Sequence, residues 1–249
     1  MGVSRSGQES AGPPASRPES GNGGSKAPSG RVLVTGTSGH LGANLCRRLL
    51  DDGHALRVLL RAGSNNSAVD GLPVERVYGD LRDAAAVDAA VKGCQRVYHA
   101  AAQVSTLYGD ARLQRSIYDS NVLGTRNVLA SCLAHGVERA VVTGSFSAVG
   151  YDHHDPSRPS TEEMRFYPFE RMMPYECSKA FVEHECMIAA TRGLDVRIAT
   201  SCAILGPHDY KPSRMGRALC DFANGKLHAY IDGGFEFVAA RDIVEGHVL

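Results

Sequence analysis

Tyr175 and Lys179 stand four residues apart in a segment, from Pro174 to about residue 192, whose pattern reads as helix. A spacing of i, i+4 puts both side chains on one helix face, ammonium beside phenol. Hydride exchange with a carbonyl needs a proton donor of suitable strength, and a free tyrosine, with a pKa of about 10, is too weak at neutral pH. A neighbouring cation favours phenolate and shifts that value toward the working range, so the pair is expected to act as a general acid–base. The same chemistry needs a hydroxyl to hold the reacting oxygen. The run Val141-Val142-Thr143-Gly144-Ser145-Phe146-Ser147-Ala148-Val149-Gly150 offers Ser145 and Ser147.

A second constellation is Gly36, Gly39 and Gly42, within Thr35-Gly36-Thr37-Ser38-Gly39-His40-Leu41-Gly42. An apolar strand (Val32, Leu33, Val34) precedes it, and a helix with Leu41, Leu45 and Leu49 follows. In that context Gly36 permits a tight turn, Gly39 lets backbone approach a pyrophosphate, and Gly42 lets helix pack close to strand. The helix N-terminus then offers free N–H groups to the phosphates of a dinucleotide.

These residues must be positioned by the elements between them. Strands are expected near 31–36, 56–61, 74–78, 95–100, 139–144 and 195–200, and helices near 40–52, 83–92, 113–135 and 174–192. Such alternation means a parallel sheet covered by helices on both faces. Residues 1–30, rich in Gly, Ser and Pro, are expected to be a disordered tail. Its Met1-Gly2 with Ser6 fits the loose N-myristoylation pattern, but an uninformative tail is the favoured reading. Residues 31–200 read as the dinucleotide-binding domain and 201–249 as a partial substrate lobe.

Composition excludes several classes. Lys+Arg and Asp+Glu balance at 27 each, so no global field favours nucleic acid or an anionic membrane. No apolar stretch is long enough to span a bilayer and no secretory core is present, so a cytoplasmic location is expected. The seven cysteines are scattered without paired spacing, which fits a reducing compartment and no metal site. His153 and His154, beside Asp152 and Asp155, read as a solvated loop.

From Arg31 onward the chain resembles the extended (atypical) short-chain dehydrogenase/reductase superfamily. The resemblance rests on an ordered set of motifs: the glycine run, Gly79-Asp80-Leu81-Arg82-Asp83, Val97-Tyr98-His99-Ala100-Ala101-Ala102, and Asn121-Val122-Leu123-Gly124-Thr125-Arg126-Asn127-Val128. The Ser145 region, Tyr175-Glu176-Cys177-Ser178-Lys179, Leu205-Gly206-Pro207 and Phe237-Val238 with Asp242 complete it. It is closest to the branch of dihydroflavonol reductases, 3β-hydroxysteroid dehydrogenases and hopanoid-associated epimerases. The fold this implies is α/β, a Rossmann-type doubly wound parallel sheet with a small, incomplete C-terminal substrate lobe. Related enzymes continue beyond Asp242 with further elements of that lobe.

The resemblance also distributes roles. Ser145, counted back from Gly150, falls at the catalytic serine, with Ser147 as fallback; Tyr175 and Lys179 fall at the acid–base pair, Lys179 also reaching the nicotinamide ribose. Asp80 with the amide of Leu81 falls where the adenine edge is held, although Asp80 could equally cap the helix after it. Ala100, Ala101 and Ala102 let the cofactor ribose lie against backbone. Thr143, Ser38, His40 and Leu41 join the cofactor set, and Asn121 organises backbone beneath the site. The chain departs from the pattern at His40, usually aromatic, at Gly144 in Thr-Gly-Ser, and at Ser201, usually proline.

Cofactor choice turns on the second strand. An NAD binder usually ends it with a carboxylate, whereas here it ends Leu60-Arg61 and continues Ala62-Gly63-Ser64. The Arg61 guanidinium suits a 2′-phosphate, which makes NADP the expected cofactor and NAD the alternative. The expected function is an NADP(H)-dependent oxidoreductase interconverting a ketone or aldehyde with an alcohol. The alternatives are a nucleotide-sugar epimerase or dehydratase with tightly bound NAD, and a non-catalytic dinucleotide sensor. The expected partner is a small carbonyl or alcohol substrate, with no nucleic acid and no membrane, and pairing into a homodimer by analogy. Phe166, Tyr167, Phe169, Met172 and Met173 read equally as a wall for a bulky apolar substrate and as packing.

Overall fold

The computed structural model describes residues 30–150, 152, 154, 155, 157–164, 172–229, 232–234 and 236–249. The tail reading for residues 1–29, and those of His153, Phe166, Tyr167 and Phe169, lie outside the described residues.

Six parallel strands form the main sheet: β1 (Arg31–Thr35), β2 (Ala55–Leu60), β3 (Glu75–Tyr78), β4 (Cys94–His99), β5 (Arg139–Thr143) and β6 (Val196–Ala199), in the order β3-β2-β1-β4-β5-β6. The order reverses between β1 and β4, and a crevice opens at the carboxyl ends of these strands, the usual place for a ligand in such sheets. Register aligns Thr35 with Leu59 on one side and with His99 on the other.

Successive side chains point to opposite faces, and both faces are covered, so the strands read as apolar runs. Leu33, Leu59, Val97 and Val142 pack one face with Val87 of α2 (Ala84–Val91), Val128 of α4 (Gly124–Ala134) and Val182 of α5 (Pro174–Thr191). Val32, Val34, Val58, Tyr98 and Val141 pack the other, with Leu41, Leu45 and Leu49 of α1 (His40–Asp51). Each fully buried side chain of this size contributes roughly 1.5–3 kcal/mol.

The helical run expected near 113–135 contains a discontinuity. After α3 (Ala111–Tyr118), residues Asp119–Leu123 form one π-helical turn before α4 begins. Asp83, not Asp80, caps α2, its carboxylate accepting from the amides of Ala85 and Ala86 at 2.9 and 3.2 Å. Two acids stand close together before this helix, and only Asp83 has the cap geometry.

Beyond residue 200 lie a small parallel pair, β7 (Ala203–Leu205) and β8 (Phe237–Ala239), with α6 (Arg214–Ala223) and α7 (Ala240–Val248). These are not a body apart from the sheet. Ile243 and Val244 of α7 complete the α1-side core, and Arg48 of α1 pairs with Glu245 at 2.5 Å. Among the described residues no helix is long and apolar enough to cross a membrane, and no group of three His, Cys, Asp or Glu is placed to hold a metal.

Candidate active site

The crevice between β1, β2 and β4 is a cleft of about 610 Å³. Gly36 lies at its floor with φ +75°, a conformation in which a Cβ would sit 2.5 Å from the Ala101 nitrogen. Glycine is the residue this position accepts. A Cβ on Gly42 would collide with the Gly36 carbonyl, so this glycine sets how closely α1 approaches the turn. Gly39 occupies the cap of α1 in extended geometry and brings no side-chain cap, and α1 has no acid in its first turn. Its terminal amides and positive dipole end therefore remain for an anion, as a pyrophosphate requires. The cradle fits a dinucleotide.

Gly36, Ser38, Gly39, Arg61, Asp80, Leu81, Ala100, Ala101 and Ala102 all line this cleft. Besides Tyr175 and Lys179, described below, four expected cofactor residues lie outside the cleft lining. Leu41 is in the core, Gly42 is packed beneath the turn, and Thr143 lies across β4 at the end of β5. His40 turns its Nε2 to the Pro207 carbonyl at 3.0 Å, so the residue that departs from the usual aromatic makes a polar tie instead. Both oxygens of Asp80 are engaged by Arg82: Oδ1 accepts from the Arg82 amide and Nε at 2.9 and 2.8 Å, and Oδ2 from Nη2 at 2.7 Å. The Arg82 hydrogen bonds hold its pKa down at about 2.

At the end of β5, α5 presents the reactive pair. Pro174 occupies the first turn, where its missing N–H costs nothing, and Glu176 reaches back to accept from the Met173 amide at 2.8 Å. Lys179 is 5% exposed, and its Nζ donates to the Thr143 carbonyl at 2.8 Å. Burial pulls its pKa down to about 8. The Ser145 hydroxyl lies close enough to the Tyr175 phenol to oppose the rise in its pKa, and Ser147 has no such effect, which favours Ser145 as the hydroxyl beside the phenol. Ser147 sits behind it, its Oγ 3.2 Å from that of Ser145.

One expectation is corrected here. Burial pushes the Tyr175 phenol above its ordinary value, and the neighbouring Ser145 hydroxyl offsets this in part. Spacing places Lys179 on the right face, but the ammonium is directed to the Thr143 carbonyl, and desolvation dominates the phenol.

A polar network holds this end together. Asn121, in the π turn, accepts from the Gln103 amide at 2.7 Å and donates to the Gln103 carbonyl at 3.1 Å and to Ser178 Oγ at 2.9 Å. Ser178 in turn donates to the Tyr175 carbonyl at 2.6 Å. His99 is buried between Thr35 Oγ1 at 2.7 Å and Thr125 Oγ1 at 2.9 Å. Since Thr125 donates to the Asn121 carbonyl at 2.6 Å, His99 donates from Nε2 and accepts at Nδ1, the neutral form. Burial first, then the Lys179 charge, lowers its pKa to about 3. On the far side, His247 of α7 meets Thr143 Oγ1 at 2.9 Å. Sequence reasoning gave His99 no role although it stands in the alanine motif, and it missed Gln103 and Lys211, which line the cleft, and His247, none of which belongs to a spacing pattern.

A model of the NAD-dependent epimerase/dehydratase family matches residues 32–249. The chain belongs to that family.

Among family relatives, the sterol demethylase protein B of Methylococcus capsulatus is 46% identical over 218 residues, which are 88% of this chain and 65% of that protein. The 2-alkyl-3-oxoalkanoate reductase of Stenotrophomonas maltophilia is 34% identical over 179 residues, 72% of this chain and 52% of that one. The chain thus spans under two thirds of either curated relative. The crystal structure of UDP-glucose 4-epimerase from Thermus thermophilus, a complex with NAD, superposes with a TM-score of 0.74 at 26% identity, covering 88% of this chain and 73% of that one. Met172, the described member of the apolar segment before Tyr175 with most to pack against, is buried with Ala148 and Ala180 and borders a groove with Tyr108, Tyr118 and Phe181.

Proposed function

We propose that this member of the epimerase/dehydratase family is an NADP(H)-dependent oxidoreductase that interconverts a ketone or aldehyde with an alcohol. The observation that carries the reading is that Tyr175 and buried Lys179 of α5 come to the end of β5, Lys179 on the Thr143 carbonyl and Tyr175 beside Ser145, at the same carboxyl edge of the sheet as the glycine cleft. The relative named as a 3-oxoalkanoate reductase supports it.

Gly36, Gly39 and the N-terminus of α1 would hold the pyrophosphate, Ala100 to Ala102 the ribose face, and Arg61 the 2′-phosphate. Bound there, the nicotinamide supplies the hydride. Ser145 holds the carbonyl oxygen by a hydrogen bond, and Tyr175 gives it the proton as the oxygen becomes a hydroxyl. Burial keeps the phenol protonated, which suits the donor role and hence the reductive direction. Lys179, charged below about pH 8 and anchored on the Thr143 carbonyl, would hold the nicotinamide ribose.

The test is a fluorescence titration of the purified full chain with NADPH and NADH, followed by turnover on ketones and aldehydes. Tighter NADPH binding and carbonyl-dependent oxidation of NADPH, lost in Tyr175→Phe, are the expected results. One observation favours a second reading, a nucleotide-sugar epimerase or dehydratase: the likeness to the Thermus thermophilus epimerase–NAD complex. Copurified NAD with no net redox turnover would support that reading. Dinucleotide binding without turnover on any substrate would leave a sensor and overturn the catalytic assignment.

A further inference from the structure

Lys211 has no place in any motif of the sequence, yet it borders the cofactor cleft together with Arg61 and Ser38. Its Nζ donates to Ser38 Oγ at 3.1 Å, directly over the glycine turn. The segment leading to it is strapped onto α1. Asn44 Nδ2 donates to the Pro207 carbonyl at 2.8 Å, and His40 Nε2 lies 3.0 Å from the same oxygen. Arg47 donates to the Tyr210 hydroxyl at 3.0 Å, with its guanidinium 5.5 Å from the centre of that ring. Residues 40, 44 and 47 follow i, i+4, i+7, so one face of α1 makes all three ties. His208 stacks on Tyr210 and adopts φ +65°, a strained conformation for a non-glycine residue that persists only where its surroundings enforce it.

The strap therefore brings a cation from the C-terminal part of the chain to the end of β2, where Arg61 already stands. Like charges brought together repel, and the repulsion is felt: burial first, then Arg61, lowers the Lys211 pKa. Asp80, the carboxylate sharing the cleft, has both oxygens engaged by Arg82. Two cations converging on one end of a dinucleotide cleft match a dianion bound between them.

We infer that Lys211 joins Arg61 in binding the adenosine 2′-phosphate of NADP(H), making Lys211 a specificity-determining residue and His40, Asn44 and Arg47 its positioning residues. This inference rests on the NADP(H) reading above and adds a residue from a distant segment to it.

Isothermal titration of the full chain with 2′,5′-ADP and 5′-AMP, and with NADPH and NADH, tests it without turnover. The wild type is expected to prefer the 2′-phosphorylated member of each pair. Lys211→Ala is expected to lose about tenfold in affinity for 2′,5′-ADP and NADPH while 5′-AMP and NADH stay within about twofold; Lys211→Arg retains most of the preference. Asn44→Ala, which removes one tie to Pro207, lowers the same selectivity ratio by a smaller factor. Higher salt should narrow the gap between wild type and Lys211→Ala, because the contact is ionic and exposed. Equal losses for both members of a pair, or none, would overturn the role of Lys211 while leaving an NADPH-preferring wild type intact. A wild type with no preference for the 2′-phosphate would remove the cofactor reading itself. Lys211 is exposed, so its variants are expected to keep the wild-type melting temperature, which circular dichroism checks.

Discussion

At the glycine turn, Gly36 and Gly42 work by what they lack: a Cβ at either would strike backbone, and the amides at the start of α1 stay uncovered. At the end of β5 the logic is reversed. Ser145, Tyr175 and Lys179, the proposed catalytic residues, are side chains brought from the end of β5 and from α5, with Lys179 held by Thr143 and the Tyr175 backbone tied through Ser178 to Asn121. The first region is made of shape and dipole, so a single methyl group is enough to damage it. The second consists of protonation states set by burial, so its failures should appear as pH dependence and lost turnover.

The largest expected effect separates the two regions outright. Tyr175→Phe removes the proposed proton donor and should lower kcat by about 10²–10⁴-fold, while NADPH affinity by fluorescence titration stays near that of the wild type. A parallel collapse of NADPH binding would mean that the two regions are not independent.

Next come the glycines. Gly36→Ala forces an L-residue to φ +75° against the Ala101 nitrogen and should cost about 1–3 kcal/mol, read as a fall in melting temperature, together with dinucleotide binding. Gly39→Ala is the control. It sits at φ −95° with its nearest neighbour, the Gly36 carbonyl, 3.3 Å from the added carbon. It should keep most of the stability and lose affinity, because the methyl group faces the cleft. Similar melting temperatures for the two variants would break the comparison.

Two smaller effects lie at opposite ends of the pH scale. His99 has a pKa of about 3 in the folded chain, and an unfolded histidine about 6.5. Between these values the unfolded state binds the extra proton, so stability falls as pH drops below 6.5, by at most about 1.4 kcal/mol per pH unit. His99→Gln should flatten that slope in urea melts. Lys179 runs the same way in pH, in a higher window. Its folded value of about 8 lies below the ordinary 10.5, so the cost of burying its charge is present below pH 8 and is relieved as pH rises toward 10.5. Relative to Lys179→Met, the wild type should therefore gain stability across that window. A constant difference would place the lysine's folded pKa elsewhere.

Much of the fold was legible because both sheet faces are buried. The central strands β1 and β2 are largely apolar, the edge strand β3 (Glu75–Tyr78) is mostly exposed, and the observed limits fall close to those read from sequence. Gly36 and the Tyr175–Lys179 spacing were legible because residue type alone restricts what each can do. The parts that were not legible depend on distance through space. β7 and β8 have three residues each, too short for periodicity, and α6 has no buried residue, so no core-facing stripe is fixed by packing. Lys211 meets Ser38 only because Pro207 and Tyr210 are tied to α1. The phenol of Tyr175 shows the limit of spacing as a guide: the pattern fixed the shared face of α5, and burial fixed the direction of the shift.

The π turn at Asp119–Leu123 accommodates one more residue than an ordinary helical turn. Excising a single residue there would restore an ordinary turn with the downstream phase kept, whereas adding one more would rotate everything downstream by about 100° about the helix axis. Val128 and Cys132, now seated against the sheet, would swing toward water, and Thr125 would leave the imidazole of His99 without its neighbour. The turn thus acts as a phase lock: it has already absorbed one extra residue, so a further insertion misaligns the whole helix, which leaves the flanking loops as the sites where added residues are tolerated.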